Sequence, residues 1–427
     1  MGNENSSSKS FDFNASSADG EDDIDLSVPA KKRRLLRGSI SLRSIASLAS
    51  SALSSDQKST DTEKTSRKRK HTAIPQSPST QSMVLGYERH WPGLMGHGFE
   101  PEFPWRSDVT ESDFLFLNSV GNGRFGNVYR ASIRSKPSQQ IALKVQNKSD
   151  ILKAEAEEQI CNEVKVLKSL GKHKFIAAFL DSWQTQTELF TVMEYVDGYG
   201  DLFTLWSDYG QFSEELVRLY GVELALGLDY LHDNSIIHRD IKMENIALDI
   251  KMHVKFVDFG FAKFLAQKDR THTICGTLQY MAPEIARGRP YDLAVDWWSL
   301  GVTLYVMRTG SYPFPNNNAL NHHELVFEHK EFPESCTQEF KSLLKRMLAL
   351  DPTQRLRNSQ NLFTQEFFHN VNIEGIYHQN VCPWELLKNE CKTRNYDSQD
   401  QPQGGYSEHY SRVFSGFETN YNSMETD

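Results

Sequence analysis

One stretch of the chain decides the fold: His238-Arg239-Asp240-Ile241-Lys242-Met243-Glu244-Asn245, followed by Asp258-Phe259-Gly260 and then by Ala282-Pro283-Glu284. Phosphoryl transfer requires one carboxylate beside the attacking hydroxyl, oxygen ligands for Mg²⁺ and cations on the phosphates. Asp240 supplies a carboxylate that can accept the hydroxyl proton, and Lys242 supplies a cation two residues later. Asn245 and Asp258 carry the hard oxygen atoms that Mg²⁺ prefers. The stretch therefore predicts a phosphoryl-transfer site with Asp240 and Lys242 as catalytic residues and Asn245 and Asp258 as metal ligands.

A lone Asp or Asn in a turn usually caps a helix or closes the turn through its own side chain. Here three motifs occur in order and suitably spaced, and together they resemble the catalytic and metal-binding loops of protein kinases. The resemblance implies an α+β fold with two lobes, a small β-rich N-lobe and a larger, mainly helical C-lobe. It places the kinase domain at residues 114–368, with the N-lobe at 114–193, the hinge at 194–200 and the C-lobe at 201–368.

Composition narrows the classes of protein to consider. The chain has 427 residues and a formal net charge of −9, which argues against general binding to nucleic acid. We find no apolar run of about eighteen residues and no charged-then-apolar leader, so we expect neither a membrane span nor secretion. The five cysteines are scattered, which is typical of reduced thiols in a cytosolic or nuclear protein. We therefore expect a cytoplasmic location, with nuclear or membrane-associated pools left open.

Residues 1–105 are predicted to form a disordered extension. Up to residue 86 the sequence is rich in Ser, Thr, Asp and Lys, and such a segment buries too little apolar surface to offset its ordering entropy. The start Met1-Gly2-Asn3-Glu4-Asn5-Ser6 matches the N-myristoylation pattern, with Gly2 as the acceptor. Two basic clusters, Lys31-Lys32-Arg33-Arg34 and Arg67-Lys68-Arg69-Lys70, would add the second membrane signal that one acyl chain needs. They equally resemble nuclear-import signals or a solvated charged tail, so membrane association is one expectation among three.

A glycine-rich segment lies near the start of the predicted small lobe. Glycines permit a tight turn and let backbone N–H groups approach phosphate oxygens without a Cβ in the way. Because Val128-Tyr129-Arg130-Ala131 continues as a strand, the segment differs from a dinucleotide-binding fold, which would open a helix there. The residues of this segment that we assign to ATP binding are Val120, Gly121, Asn122, Gly123, Arg124, Phe125, Gly126, Asn127 and Val128.

One lysine interrupts the apolar strand Ile141-Ala142-Leu143-Lys144-Val145. Such a lysine is often a charge on a strand edge. At this distance after a glycine-rich loop, however, Lys144 resembles the kinase lysine that contacts the α- and β-phosphates. We expect a single helix over 151–170 to supply its carboxylate partner, Glu163. On spacing alone three other glutamates remain rivals, namely Glu155, Glu157 and Glu158.

The segment Val192-Met193-Glu194-Tyr195-Val196 resembles the strand that leads into the hinge between kinase lobes. The resemblance assigns adenine recognition to backbone groups of Glu194 and Val196, and places Met193 at the rear of the pocket. It also implies that Asp201 binds the ribose hydroxyls and that Ala142 lines the nucleotide site. ATP and two Mg²⁺ ions are therefore the expected ligands.

The loop after the metal-binding motif carries the expected regulatory threonine. Thr273 stands at the position of an activation-loop phosphosite, with an ordinary loop threonine as the alternative. Arg239 is the expected receptor, because a guanidinium can hold a phosphate bidentately. Thr277 is expected to lie nearer the substrate and Asp240.

Three further residues, Asp296, Glu284 and Arg355, are expected to be structural. Asp296 lies at the start of a helix that is predicted to be buried, and we expect it to cap backbone N–H groups of the catalytic loop. Arg355 is expected to pair with Glu284. A buried ion pair is costly to break, so either single mutant should unfold the lobe more than it alters the chemistry.

Three segments are similar to the AGC group of serine/threonine kinases, and in particular to catalytic subunits of cAMP-dependent protein kinases: Asp258-Phe259-Gly260-Phe261-Ala262-Lys263, the run from Thr271 to Thr277, and Ala294-Val295-Asp296-Trp297-Trp298. The resemblance implies a C-terminal tail over 369–427, in which Phe414 and Phe417 dock on the small lobe and hold the Glu163 helix. It also implies that Glu244 selects arginine before the phosphorylated residue, so protein substrates with basic residues near Ser or Thr are expected. His272 replaces a tryptophan that contacts the regulatory subunit in that family, which puts binding of this partner in doubt. Gln159 replaces a histidine and removes one contact to a phosphate on Thr273.

The main hypothesis is therefore an ATP- and Mg²⁺-dependent protein serine/threonine kinase. The alternative is a pseudokinase that acts as a scaffold through its tails. Pseudokinases usually lack the lysine, the catalytic Asp or the metal-binding Asp, whereas Lys144, Asp240 and Asp258 are all present. A small-molecule kinase is disfavoured by the activation loop and the Ala282-Pro283-Glu284 segment.

Overall fold

An antiparallel five-stranded sheet with two helices forms the small lobe, and a mainly helical large lobe follows it in the chain. The computed structural model describes residues 98–314, 322, 327 and 332–397, with side chains up to residue 391. The predicted two-lobe α+β fold is confirmed within these residues. The predictions of acylation at Gly2, of roles for the two basic clusters and of docking by Phe414 and Phe417 lie outside the described residues.

The sheet of the small lobe has the strand order β1-β2-β3-β5-β4, and every neighbouring pair is antiparallel. Its strands are β1 (Phe114–Gly123), β2 (Gly126–Ile133), β3 (Lys136–Asn147), β4 (Phe179–Gln184) and β5 (Glu188–Glu194). β1 and β2 form a hairpin closed by the pair Gly123 and Gly126, so the strand expected after the glycine-rich turn is present. A Cβ on Gly126 would lie 1.8 Å from the carbonyl oxygen of Val145, which makes glycine necessary where β2 passes close to β3.

Two helices, rather than the single helix predicted over 151–170, connect β3 to β4. They are α1 (Lys148–Lys153) and α2 (Glu157–Ser169). The break lies at Glu155, whose φ of 50° is left-handed and costs a non-glycine residue conformational energy. The predicted apolar face is present, because Ile160, Val164 and Leu167 are all buried.

The folded region begins earlier than predicted. Residues 98–105 were assigned to the disordered extension, but Phe99 and Phe103 are fully buried against the small lobe. A short 3-10 helix, Glu111–Asp113, then leads into β1. Burial of the two aromatic rings offsets part of the cost of ordering this segment, and hydrogen bonds from Lys168 and Ser182 to the Glu102 carbonyl hold it as well.

The large lobe is built around two helices that are buried along most of their length. They are α4 (Glu214–Asp233), which Ser213 caps by accepting from the Leu216 N–H at 3.1 Å, and α6 (Ala294–Thr309). Nearly every residue of α6 is buried, as expected for a helix that is apolar on all sides. The other helices within the described residues up to 368 are α3 (Leu202–Tyr209), α5 (Pro283–Ala286), α7 (Gln338–Met347) and α8 (Ser359–Phe363). Short 3-10 turns include Met243–Asn245, Leu278–Tyr280 and Glu366–Phe368.

Two small antiparallel sheets lie where the catalytic motifs are found. One contains β6 (Gly200–Asp201), β8 (Ile246–Leu248) and β9 (Val254–Phe256) in the order β6-β8-β9. The other pairs β7 (Ile236–Ile237) with β10 (Lys263–Phe264). The catalytic loop runs between β7 and β8, and the Asp258-Phe259-Gly260 motif runs between β9 and β10. The two sheets therefore bring both motifs to one place.

The first part of the predicted tail folds onto the large lobe as α9 (Ile373–Tyr377) and α10 (Pro383–Asp397). Trp384 and Leu387 are fully buried, and the carboxylate of Glu390 accepts a hydrogen bond from the Tyr209 hydroxyl at 2.7 Å. Within the described part of the chain no helix is both long enough and apolar enough to cross a lipid bilayer.

Candidate active site

A cleft of about 600 Å³ lies beneath the β1–β2 hairpin and in front of the hinge, a volume in the ordinary range for small-molecule sites. Of the residues predicted to bind ATP, fifteen line this cleft: Val120, Gly121, Asn122, Gly123, Arg124, Phe125, Gly126, Val128, Ala142, Lys144, Glu163, Met193, Glu194, Val196 and Asp201. Asn127 is not part of the lining; its side-chain amide donates to the Tyr129 hydroxyl at 3.2 Å. Asn245 and Asp258 line the same cleft, so hard oxygen donors face the space where phosphates would lie.

Ala247 and Val257 add an apolar wall to the cleft that the sequence analysis missed. Ala247 is the middle residue of β8, and Val257 directly follows β9. The alternation of side chains along these strands was the available signal. Because adenine is flat and apolar on its faces, such a wall fits a purine.

Lys144 forms an ion pair with Glu163, which joins the sheet to helix α2. The two side chains are 16% and 5% exposed, so the pair is shielded from solvent. Lys144 and Ala142 share the inward face of β3, two residues apart, and both line the cleft. The structure therefore pairs Lys144 with Glu163 among the candidate glutamates, and presents a fixed ammonium group to the cleft.

The carboxylate of Asp240 is surrounded by groups that can take part in proton and phosphoryl transfer. It accepts a hydrogen bond from the Thr277 hydroxyl at 2.7 Å and from the Asn245 amide at 3.0 Å, and Lys242 Nζ lies 3.1 Å away. Lys242 Nζ also donates to Thr277 Oγ1 at 2.9 Å. The structure thus brings the predicted catalytic pair, one metal ligand and the substrate-side threonine into one cluster.

Charge and orientation within this cluster follow from its contacts. Burial by itself would lower the pKa of Lys242, but the carboxylates of Asp240, Glu244 and Asp258 outweigh burial and raise the pKa, so Lys242 stays cationic. Asn245 uses its amide nitrogen on Asp240, including the backbone carbonyl at 2.8 Å. The amide oxygen of Asn245 is therefore the atom that would be offered to a metal ion.

Asp296 fixes the backbone of the catalytic loop. Its two carboxylate oxygens accept hydrogen bonds from the backbone N–H groups of His238 and Arg239, both at 2.8 Å, and His232 Nε2 lies 2.9 Å from one of them. Arg239 has a φ of 68°, a left-handed conformation that these bonds hold in place. Burial alone would raise the pKa of Asp296, but the hydrogen bond and charge of His232 dominate and lower it. Asp296 therefore remains ionised as an N–H acceptor.

The Asp258-Phe259-Gly260 motif is tied both to the catalytic loop and to helix α2. Asp258 Oδ1 accepts the Gly260 N–H at 2.9 Å, and Phe259 packs against His238 with ring centroids 5.3 Å apart. Gln159 of α2 donates through its side chain to the Gly260 carbonyl at 2.6 Å. Gln159 was expected only to lack a phosphate contact. This bond was not predicted, because its partner is a backbone atom 101 residues later.

The activation segment, residues 270–277, lies close to Arg239, and Tyr291 rather than the Thr273 side chain links the two through hydrogen bonds. The Arg239 guanidinium donates to the Phe261 carbonyl at 2.7 Å and lies 3.4 Å from the Tyr291 hydroxyl. That hydroxyl in turn donates to the Thr273 carbonyl at 2.6 Å. The side chain of Thr273 is exposed, as is that of His272, so both are accessible to another protein.

Three ion pairs anchor this segment and the residues that follow it to the large lobe. Asp292 contacts both Arg270 and Arg357, a bridge that the sequence analysis missed. Glu284 forms the predicted pair with Arg355, and the structure shows that it is bidentate, with Nη1–Oε1 at 2.7 Å and Nη2–Oε2 at 3.1 Å. Glycine is required at Gly276, where a Cβ would lie 2.5 Å from the Arg239 carbonyl oxygen. The segment therefore has one defined path past the catalytic loop.

The remaining predicted residues, Glu194, Asp201 and Glu244, lie at the hinge and along the edge of the cleft. The N–H of Glu194 donates to the Ala178 carbonyl at 2.8 Å, which leaves its carbonyl as the group that can accept from adenine. Asp201 caps α3 by accepting from the Thr204 N–H at 2.6 Å, so part of its role is structural. Glu244 is half-buried and lines the cleft.

Comparison with known proteins also finds similarity to protein kinases. The protein kinase domain family matches residues 114–368. A provisionally named serine/threonine-protein kinase of Caenorhabditis elegans is 41% identical over 305 residues, which cover 71% of this chain and 69% of the relative. The human ribosomal protein S6 kinase-related protein is 38% identical over 64% of this chain and 66% of its own length. The human cAMP-dependent protein kinase catalytic subunit PRKX is 36% identical over 64% of this chain and 76% of its own length. About a third of each of the first two relatives lies outside the matched region.

Proposed function

Because the chain belongs to the protein kinase family, in its AGC-type branch, we propose that it transfers the γ-phosphoryl group of ATP to Ser or Thr hydroxyls in basic segments of proteins. The relatives are named as serine/threonine or cAMP-dependent kinases, which supports the reaction class. The preference for arginine before the target, the use of two Mg²⁺ ions and the individual residue roles are the specific parts of the proposal.

The main observation that supports the proposal is the arrangement of three side chains: the Asp240 carboxylate accepts a hydrogen bond from the Thr277 hydroxyl, and Lys242 lies beside both. Thr277 Oγ1 lies 2.7 Å from Asp240 Oδ1 and 2.9 Å from Lys242 Nζ. A hydroxyl of a protein substrate needs the same two neighbours, one to take its proton and one to offset charge on the phosphoryl group.

In the proposed reaction the substrate oxygen forms a bond to the γ-phosphorus, and the bond from that phosphorus to the leaving oxygen of ADP breaks. Asp240 takes the hydroxyl proton, while Lys242 and Lys144 offset charge on the phosphate oxygens. Asn245 and Asp258 would hold Mg²⁺, which neutralises phosphate charge when bound. The Lys144–Glu163 pair and the Gln159–Gly260 bond hold the two halves of this arrangement together.

The proposed preference for arginine rests on Glu244 and Asp201, which are acidic and line the same cleft. A guanidinium that meets such a carboxylate gains charge-assisted hydrogen bonds worth about 1.5–3 kcal/mol. Arginine in the substrate should therefore improve kcat/KM by roughly 10- to 150-fold.

The test is transfer of radiolabelled phosphate to a serine peptide that carries arginines before the target. The purified full-length chain should label it, and Asp258→Ala and Asp240→Ala should abolish labelling while the proteins remain folded. A matched peptide with alanine in place of arginine should be labelled roughly tenfold less efficiently or worse, and Glu244→Gln should narrow that difference. Equal labelling by wild type and Asp240→Ala would refute the reaction, whereas equal labelling of both peptides would refute only the arginine preference. In the described residues no observation favours the scaffold alternative.

A further inference from the structure

Helix α2 forms one wall of an apolar groove in the small lobe, and two phenylalanines from before the kinase domain fill this groove. Phe99 and Phe103 are both fully buried, with their rings edge-to-face at 6.5 Å. We call the segment Gly98–Arg106 the strap. The buried residues that form one apolar cluster with the two rings are Phe125, Ile151, Ala156, Ile160, Val164 and Leu189.

Hydrogen bonds fix the backbone of the strap as well as its rings. The Glu102 carbonyl accepts from Lys168 Nζ of α2 and from the Ser182 hydroxyl of β4, both at 2.6 Å. Gln184 of β4 donates twice, from its side chain to the Phe103 carbonyl at 2.5 Å and from its backbone to the Pro104 carbonyl at 3.1 Å. Arg106 then forms an ion pair with Asp181 at 2.6 Å. The strap is thus bound to both walls of the groove, α2 and β4.

A buried lysine at the floor of the groove is matched to the aromatic rings of the strap. Lys148 is fully buried, and its Nζ lies 4.5 Å from the ring centre of Trp105 and 5.7 Å from that of Phe99. It donates to Gln184 Oε1 at 2.7 Å and to the Thr185 carbonyl at 2.5 Å. An ammonium group buried without such partners is strongly unfavourable, and aromatic faces offset its charge. The aromatic rings of the strap therefore stabilise the buried Lys148 ammonium group in the groove.

The position of the strap matters because α2 carries Glu163. Val164, which belongs to the apolar cluster, directly follows Glu163, and Ile160 lies one turn before it. A rigid helix transmits a shift of that face to the Lys144–Glu163 pair and to Gln159 on Gly260. The family resemblance implies that Phe414 and Phe417 hold this helix. In this structure Phe99 and Phe103 pack against it.

We propose that the strap holds α2 in the position that pairs Glu163 with Lys144, and that Phe99 and Phe103 are positioning residues for this pair. The proposal rests on the proposed kinase function for its activity readout. The helix is secured in cis by residues that precede the kinase domain, so activity depends on Phe99 and Phe103 and not on the two tail phenylalanines.

The experiment uses the full-length chain with Phe99→Ala, Phe103→Ala, the tail double variant Phe414→Ala/Phe417→Ala, and Phe116→Ala as a matched control. Phe116 is a phenylalanine of the same lobe that is 37% exposed. Three quantities are measured: kcat/KM on the arginine-containing serine peptide, hydrogen–deuterium exchange of residues 157–169, and melting temperature. For the strap variants we expect about a tenfold loss in kcat/KM, the change that about 1.4 kcal/mol of lost bias on α2 produces. Exchange in α2 should accelerate at least several-fold, and the control and tail variants should stay within about twofold of wild type.

Adding the strap as a separate peptide distinguishes a positioning role of the two phenylalanines from a simple loss of folding in the variants. A synthetic peptide of residues 98–108, added at millimolar concentration to the double variant Phe99→Ala/Phe103→Ala, should restore activity and protection of α2, because it supplies both of the rings that the variant lacks. If the alanine variants do not fold, Phe99→Leu and Phe103→Leu take their place with the same expectations. Strap variants with unchanged α2 exchange, or a loss confined to the tail double variant, would overturn the proposal. An inactive wild type whose α2 still loosens on Phe99→Ala would refute the kinase function and leave the inference about α2 standing.

Discussion

Replacing Arg355 by methionine is expected to unfold the large lobe rather than to alter the chemistry. The guanidinium is fully buried and donates to both oxygens of Glu284, to the Ala294 carbonyl at 3.0 Å and to the Ala349 carbonyl at 3.1 Å. It also lies over the Trp298 ring, 5.0 Å from its centre. Methionine fills part of the volume but leaves the Glu284 carboxylate, which is 7% exposed, without its counter-charge.

The expected loss in the free energy of unfolding follows from the unpaired Glu284 carboxylate that the substitution leaves buried. Removing one partner of a buried ion pair costs about 3–5 kcal/mol, because the remaining charge is neither solvated nor paired. For a lobe of this size about 1 kcal/mol shifts the melting temperature by roughly 2–4 °C, so we expect Arg355→Met to lower it by roughly 6–20 °C. The double variant Glu284→Gln/Arg355→Met removes both charges and should lose less than the sum of the single changes, with a coupling energy of about 1 kcal/mol or more.

The assay is thermal and urea unfolding of the full-length chain, together with kcat measured well below the melting temperature. Arg346→Met is the matched control, because Arg346 is an exposed arginine whose contact is with Gln365 at 2.8 Å. It should shift stability by less than about 0.5 kcal/mol. A fall in kcat with a melting temperature within about 2 °C of wild type would show that Arg355 acts in the chemistry, and would refute the reasoning.

Three further outcomes are expected. Gln159→Leu removes the bond to the Gly260 carbonyl and should lower kcat/KM by about three- to tenfold, with a melting temperature within about 2 °C of wild type; unchanged kinetics would exclude this link. Thr273→Ala should lower activity by removing the acceptor hydroxyl for a phosphate beside Arg239, and full turnover by wild-type protein after phosphatase treatment would contradict such a switch. Burial first, and then nearby lysines, lower the pKa of His173 to about 4, so below pH about 6.5 the unfolded chain binds a proton that the folded chain excludes. Stability should therefore fall as the pH drops from about 6.5 towards 4, and His173→Phe should flatten the decline in urea midpoints measured at pH 7.5 and 5.5; an unchanged slope would refute the assignment.

Much of the catalytic cluster could be predicted from sequence because its members lie close together in the chain or in motifs of fixed order. Asp240, Lys242 and Asn245 share one loop, so their proximity needs no knowledge of tertiary structure. The strand after the glycine-rich turn could be predicted because alternation of apolar residues does not fit a helix there. These features are local, and local patterns are what a single sequence records.

The features that were not predicted depend on partners far away in the chain, or on tertiary contacts that change the structure a local pattern would favour. The Gln159–Gly260 bond joins a side chain to a backbone atom, which leaves no trace in residue identity. The left-handed Glu155 interrupts a stretch with helical periodicity and no Gly or Pro, so nothing local indicated the break. Residues 98–105 of the strap were assigned to the extension, whose predicted disorder rested on the polar composition of the first 86 residues. A signal did exist, since Phe99, Phe103 and Trp105 follow within seven residues in a region where aromatic side chains reappear.

The order of the chain gives the strap a consequence for synthesis on the ribosome. Every part of the groove, from Phe99 to Leu189, has been translated by the time Glu194 emerges, because all of these residues precede the hinge. The small lobe can then close around its own aromatic plug while the large lobe is still being made, since nascent chains fold from the N-terminal side first. A lobe secured by the tail would have to wait for almost the entire polypeptide, with an apolar helix face open to chaperones and to neighbouring chains in the meantime.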